Sequence, residues 1–450
     1  LALFNTSQQG RALEHSISAS QVTMAITEQV TANCWNGLNT IPLDQLLLEA
    51  DRNTHVGFQE TALGNNAAFY IFTSGTTGLP KASIMSHVRW LKAAYGYGYG
   101  MLRLHETDVL YNALPLYHNL ATTIAWGSCV ATGACFAISE RFSASAYWDE
   151  CRASGATCVS YIGELPRYLL AQPESARDRE HRVRLATGVG LRHSLWNEFK
   201  TRFGIERVAE FYGSSEGNTV FLNLFGLDKT VGFSPTPHKL VAYDRAEGQP
   251  LRNQQGQLIP VKHGDAGLLL SRVTKRFPYD GFTDTQASEK RLYRSPFGKG
   301  HTYVDSGDLL RKIGYGHAVF VDRVGDSFRW KGENVATAEV EAILDQVSYI
   351  RESTAYGITL ENTDGTPGMA TIACDKGMFD PLALYQHCRT HLPEYAVPVF
   401  LRIQRDLERT GTFKHQRAAL RTLGLTRIHE SVLYQRKGDF PWRPIGDTEN

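Results

Sequence analysis

The chain has 450 residues, of which 42% are hydrophobic and 21% charged, with a formal net charge of +1. This is ordinary globular usage, so disorder, a collagen-like repeat and a disulfide-stapled miniprotein are excluded. From Arg323 onward 16 basic residues face 17 acidic ones, so no domain is basic and no sequence-independent grip on nucleic acid is expected.

The seven cysteines (Cys34, Cys129, Cys135, Cys151, Cys158, Cys374, Cys388) are odd in number and none has CxxC spacing. They read as reduced structural thiols of a cytoplasmic protein. The first residues lack a basic stretch followed by an apolar core, so no signal peptide is visible.

Apolar runs at 67–72, 109–114, 157–162, 183–186 and 208–211 read as strands. Residues 119–139 carry no charge over a length close to the ~20 residues that cross a bilayer. They are rich in Ala, Thr, Gly, Ser and Cys, which favours a buried helix running into a strand at 134–138. A peripheral contact at the inner face of a membrane is left open. The runs alternate with Gly-rich loops and helical stretches such as 194–203. That alternation predicts an α/β fold with a largely parallel, buried sheet. Ligands then bind at the loops leaving the strand ends.

The later chain reads differently. Residues 267–273 and 318–322 suggest strands of smaller sheets. Val340, Ile343, Leu344 and Val347 give the i, i+3, i+4, i+7 spacing of an amphipathic helix over 338–347. Thr337 is its expected cap, with Glu339 in the first turn. A compact final domain of about 128 residues, 323–450, is expected.

The strongest chemical signal is Tyr70-Ile71-Phe72-Thr73-Ser74-Gly75-Thr76-Thr77-Gly78-Leu79-Pro80-Lys81. A hydrophobic strand runs into a loop of small, hydroxyl-bearing residues. Gly75 and Gly78 admit an anion close to backbone N–H groups. Thr73, Ser74, Thr76 and Thr77 add hydroxyls and Lys81 a cation. This is a phosphate cradle, though not a Walker A loop.

The string resembles the phosphate-binding motif of adenylate-forming enzymes, the superfamily of acyl-CoA synthetases, luciferase and peptide-synthetase adenylation domains. Leu114-Pro115-Leu116-Tyr117-His118-Asn119 is similar to its aromatic/His motif. Phe211-Tyr212-Gly213-Ser214-Ser215-Glu216-Gly217-Asn218 resembles YGxTE, and Tyr303-Val304-Asp305-Ser306-Gly307-Asp308 resembles YxSGD. Asp322-Arg323, Trp330-Lys331-Gly332-Glu333-Asn334-Val335 and Thr410-Gly411-Thr412-Phe413-Lys414 resemble the hinge, the following loop and the C-terminal lysine motif. The run from Asp322 to Asn334, with Gly411-Thr412-Phe413-Lys414 and Tyr161-Ile162-Gly163-Glu164, is most similar to the fatty acid transport proteins, or very-long-chain acyl-CoA synthetases.

The resemblance implies two half-reactions. A carboxylate and ATP give acyl-AMP and pyrophosphate, and CoA then displaces AMP. Residues 74–81 would hold the β- and γ-phosphates, and Glu216 would bind Mg²⁺. Ser215, with Gly213 beside it, would offer a hydroxyl to phosphate. Tyr212 would pack on adenine, Asp308 would accept from the ribose hydroxyls, and Arg323 would reach the ribose. Lys414 would support adenylation, and His118 would line the acyl or thioester site. The resemblance also implies a large multi-subdomain unit over 1–321 and a small mobile α+β unit over 322–450, with Asp322 as the hinge and with Lys331 and Gly332 meeting the pantetheine arm. Gly188-Val189-Gly190-Leu191 stands where relatives carry Gly-Asn-Gly-Leu, near the adenine and acyl sites, with Gly190 kept. Leu1-Ala2-Leu3-Phe4-Asn5-Thr6 resembles an internal family segment, which implies a further N-terminal block in relatives.

Long or very long fatty acids are the first substrate expected, with ATP, Mg²⁺ and CoA. A bile acid, a carnitine-like acid or an aryl acid is the second reading. A non-catalytic lipid- or nucleotide-binding relative that aids uptake is the third. Homodimerisation is left open.

Overall fold

The structure, a computed structural model, describes residues 1–6, 8, 10–28, 38–52, 63–74, 80–244, 248–324, 328–330, 333–360, 366–407, 417–426, 431–436 and 441–445. Its centre is a mixed sheet in which Arg207–Gly213, Leu185–Val189, Cys158–Ile162, Val109–Asn112 and Cys135–Ile138 lie side by side, all parallel. Every side chain of Cys158–Ile162 is buried. Both faces of a parallel sheet are covered by crossover helices, so its strands are predominantly apolar. Trp196, Phe199 and Phe203 of the helix Trp196–Phe203 share one buried core with Val159 and Val208 of the sheet.

The uncharged stretch near residue 120 resolves into two helical segments, Leu120–Trp126 and Gly127–Thr132, then the strand Cys135–Ile138. Leu120–Ala125 are buried. Among the described residues, no helix is long and apolar enough to cross a membrane. The strand expected at 183–186 runs instead from Leu185 to Val189. Pairing with Cys158–Ile162 on one side and Arg207–Gly213 on the other carries it on to Val189.

Beyond Arg207–Gly213 the sheet continues antiparallel through Val220–Leu222, Gly232–Phe233, His317–Arg323, Thr302–Gly314, Ala266–Arg272 and His238–Val241. A three-stranded sheet joins Ala2–Leu3, Ala67–Ser74 and Pro80–Ser86. The C-terminal part has its own five-stranded sheet, Glu352–Gly357, Gly368–Ala373, Phe400–Gln404, Val432–Gln435 and Arg443–Pro444. Helices Thr337–Leu344 and Pro381–His391 pack on it around Val340, Leu344, Leu384 and Leu401.

The cap of that first helix differs from expectation. Ala336 is the N-cap and makes no side-chain cap bond, while Thr337 is already helical. The Thr337 hydroxyl and N–H both turn to Asp322. A side chain from another segment does the capping that Thr337 was expected to do.

Six cysteines fall among the described residues and all are free. Burial pushes Cys129, Cys151, Cys158, Cys374 and Cys388 up from the ordinary thiol value, while Cys135 is exposed. Thiols held this way are poor nucleophiles.

Candidate active site

The strand Arg207–Gly213 ends where the parallel and antiparallel halves of the sheet meet, and its last residues are Tyr212 and Gly213. The Tyr212 hydroxyl donates to Asp308 Oδ2 at 2.6 Å. Arg323 Nε lies 3.5 Å from Asp308 Oδ1. The strand register explains the meeting, because Asp308 and Arg323 are direct cross-strand partners. Burial raises the Asp308 carboxyl, and Arg323 and the Tyr212 hydroxyl oppose that rise. Phe320 lies with its ring stacked 6.4 Å from that of Tyr212, at an interplanar angle of 26°. Phe320 is 41% exposed, so the pair borders open space.

The loop before Asp308 is equally determined. Gly307 has φ 73°, a left-handed position that favours glycine. Its N–H donates to Asp305 Oδ1 at 2.8 Å, and Ser306 Oγ donates to the Leu269 carbonyl at 2.9 Å. Arg291 links this loop to the next site element. Its Nη1 donates to the Asp305 carbonyl at 3.3 Å, and its Nη2 lies 3.8 Å from Glu216 Oε1.

The string read as a phosphate cradle lies between Ala67–Ser74 and Pro80–Ser86, which pair antiparallel with Thr73 opposite Lys81. Lys81 Nζ sits 5.7 Å from the centre of the Phe282 ring. The Ser74 side chain and Gly75, Thr76, Thr77 and Gly78 lie outside the described residues. So do Lys331, Gly332 and Lys414. Ser215 is fixed through its carbonyl, which accepts from Ser83 Oγ at 2.7 Å. Thus Tyr212, Gly213, Ser215, Glu216, Asp308 and Arg323 form one neighbourhood, with the strand Pro80–Ser86 joined to it through Ser83.

His118 stands at the start of the helical stretch. Its Nδ1 accepts the Leu120 N–H at 3.2 Å, so a neutral ring carries its hydrogen on Nε2. Gly190 directly follows the strand Leu185–Val189, at φ 83°. A Cβ on Gly163 would collide with the Gly190 carbonyl, and one on Gly188 with Tyr161. These glycines let two strand ends approach closely.

Two residues of this region carry no local signature. Glu210, 3% exposed, accepts from the Tyr161 hydroxyl, the Gly190 N–H and, at 3.1 Å, the Leu191 N–H. Burial pushes its carboxyl up to about 8. The one available signal is an acid inside the apolar run Val208-Ala209-Glu210-Phe211. Arg89, on the helix His87–Tyr95, reaches the nearby Ile84 carbonyl and two backbone carbonyls far from it in sequence, those of Ser214 and Gly217, which spacing cannot reveal.

An ionic network also ties the large part to the C-terminal part. Arg167 lies 2.8 Å from Glu164 and 3.0 Å from Glu352. Arg192 pairs with Glu164 at 3.3 Å and with Asp345. Glu164 closes the Tyr161-Ile162-Gly163-Glu164 motif, so that motif serves the interface as well as the strand end.

A parallel sheet with its candidate site at the carboxyl ends, followed by a small α+β unit, is the architecture of adenylate-forming enzymes. The ATP-bound MatB of Rhodopseudomonas palustris superposes with TM-score 0.78 at 20% identity, covering 93% of this chain and 82% of its own. A benzoate CoA ligase of Burkholderia xenovorans LB400 superposes with TM-score 0.75 at 19% identity, covering 93% and 84%. The sequence profile of the AMP-binding enzyme family matches residues 1–264, and that of the AMP-binding enzyme C-terminal domain matches 339–414. The medium/long-chain-fatty-acid–CoA ligase FadD6 of Mycobacterium tuberculosis is 44% identical over 448 residues, 97% of this chain and 75% of that protein. Human long-chain fatty acid transport protein 1 is 40% identical over 391 residues, 85% of this chain and 60% of that protein. The chain therefore belongs to the AMP-binding, adenylate-forming enzyme family, on the branch of the fatty-acid–CoA ligases and fatty acid transport proteins. It spans about three quarters of the first relative and about three fifths of the second.

Proposed function

We propose that the chain activates a long- or very-long-chain fatty acid to acyl-AMP and then to acyl-CoA, releasing pyrophosphate and AMP. The observation that carries this is the Tyr212–Asp308–Arg323 cluster, set at the strand ends beside Glu216. The substrate class is supported by 44% identity to a fatty-acid–CoA ligase across nearly the whole chain.

In this reading adenine lies against Tyr212, with Gly190 at its edge. Asp308 accepts from the ribose hydroxyls, and Arg323 steadies the ribose. Residues 73–81 hold the phosphates. Glu216 suits Mg²⁺, since a hard cation that keeps much of its water needs only one or two protein carboxylates besides phosphate oxygens. The bound ion would neutralise charge on the phosphate oxygens. Among the described residues no cluster of three or more candidate ligands competes for that role. Lys414 places a cation at the α-phosphate as negative charge develops there, where electrostatic placement supplies most of the rate. Rotation at Asp322 then brings in the Lys331–Gly332 loop for CoA, with His118 lining the thioester site.

ATP–pyrophosphate exchange over a panel of acids tests the reading. Exchange with palmitate or a C24 acid, and CoA-dependent AMP release, are expected. Exchange confined to bile, carnitine-like or aryl acids would move the substrate class. Retained ATP binding without exchange would leave a non-catalytic relative. Lys414→Ala should abolish most exchange, and unchanged exchange would remove Lys414 from its role.

A further inference from the structure

The turn that carries Glu216 is fastened on almost every side. The Ser214 Oγ accepts the Gly217 N–H at 3.0 Å, closing the turn. Ser83 Oγ holds the Ser215 carbonyl at 2.7 Å. The Asn218 amide donates to the carbonyls of Arg272 and Phe277, each at 3.1 Å. Ser271 Oγ donates to Asn218 Oδ1 at 2.5 Å. Residues 214, 215, 217 and 218 are thereby fixed, and Glu216 sends its carboxylate past them toward Arg291.

Arg89 completes this arrangement. Its Nη2 donates to the carbonyls of Ser214 at 3.2 Å and Gly217 at 2.5 Å, the two that bracket Glu216. Its Nη1 donates to the Ile84 carbonyl at 3.2 Å, in the strand that leaves the phosphate loop. Asp280 flanks it, bonded to Ser86 Oγ at 2.7 Å. The planar guanidinium spreads its donors over two nitrogens, so one side chain spans from Ile84 on the strand to Ser214 and Gly217 on the turn, where an ammonium would place all its donors on a single nitrogen.

We propose that Arg89 is a positioning residue for a divalent-cation site at Glu216: it locks the Glu216 turn to the strand behind the phosphate cradle, setting the separation of metal ligand and phosphates. The proposal rests on the reading of Glu216 as the Mg²⁺ ligand. A misplacement of about 1 Å in such a site is enough to cost function.

The test uses the full chain with ATP and Mn²⁺ as a paramagnetic probe, its binding followed by electron paramagnetic resonance. Arg89→Lys keeps the charge but loses the fork, and Arg89→Met keeps the stem alone. Both should weaken Mn²⁺ binding about tenfold, the effect of one lost charge-assisted hydrogen bond. Affinity for an acyl-sulfamoyl adenosine, which needs no metal, should hold within about twofold. An equal loss for that analogue would mark Arg89 as merely structural and overturn the proposal. Glu216→Gln separates the two layers. If it leaves Mn²⁺ binding unchanged, the reading of Glu216 falls. If it weakens binding while Arg89→Lys does not, the role given to Arg89 falls. Should Arg89→Met fail to fold by circular dichroism, Arg89→Lys decides.

Discussion

The carboxylate of Asp322 accepts the backbone N–H of Thr337 at 3.1 Å, so the proposed hinge also caps the first helix of the C-terminal part. Its other oxygen takes the Arg323 N–H at 2.9 Å. Turning the chain at Asp322 must break or carry these bonds. Asp322→Ala should cost about 1 kcal/mol of stability, as a lost cap does. Asp322→Pro should slow thioester formation more than adenylation, because it restricts the rotation itself. Single-turnover rates of the two steps check this, and equal losses would refute the hinge.

The network of Glu164, Arg167, Arg192, Asp345 and Glu352 should hold the present orientation of the two parts. Arg167 is 11% and Glu352 4% exposed at the side chain. Arg167→Met should therefore cost roughly 2 kcal/mol of stability, between the limits for exposed and buried pairs. Hydrogen exchange in 345–360 should quicken in that variant. A double-mutant cycle with Glu352→Gln measures the coupling, and additive effects would deny it.

Glu210 makes stability depend on pH in a stated direction. Its carboxyl rises from an ordinary 4.5 to about 8 because it is buried. Between those values the native state holds a proton that the unfolded chain has lost. Stability therefore falls as pH climbs through that window. Glu210→Gln should flatten this decline, since its amide carries no ionisation and still accepts the Gly190 and Leu191 N–H groups. Urea midpoints at pH 5 and pH 8 for both proteins decide the matter. Parallel slopes would remove Glu210 as the cause.

Gly188→Ala should destabilise by about 2 kcal/mol or more, since its Cβ enters the Tyr161 backbone and ring. Gly256→Ala is the control. It has φ 74° but open space around it, so only backbone strain remains. Thermal melts that rank the two equally would show that packing at the strand ends is not the constraint.

Local pattern made much of this protein legible. Continuous apolar runs marked the parallel strands, and the hydroxyl-and-glycine string runs between the paired strands Ala67–Ser74 and Pro80–Ser86. Asp308 and Arg323 each stood in a readable motif, but only the register of two long strands places them opposite each other. The cap of Thr337–Leu344 was misread because its partner lies fifteen residues upstream on another strand. Arg89 and Glu210 had no motif to announce them. Their roles exist only through carbonyls and N–H groups that folding brings within reach.

The pairing of Asp308 with Arg323, and of Leu309 with Asp322, also constrains anyone who would recombine this protein. A crossover placed at residue 322 would cut a sheet ladder and separate Asp308 from Arg323. A junction beyond residue 335 would leave that ladder whole, provided the incoming segment offers Asp322 an N–H where Thr337 now stands. An exchangeable C-terminal part of this chain is then defined by a hydrogen-bond donor rather than by a linker.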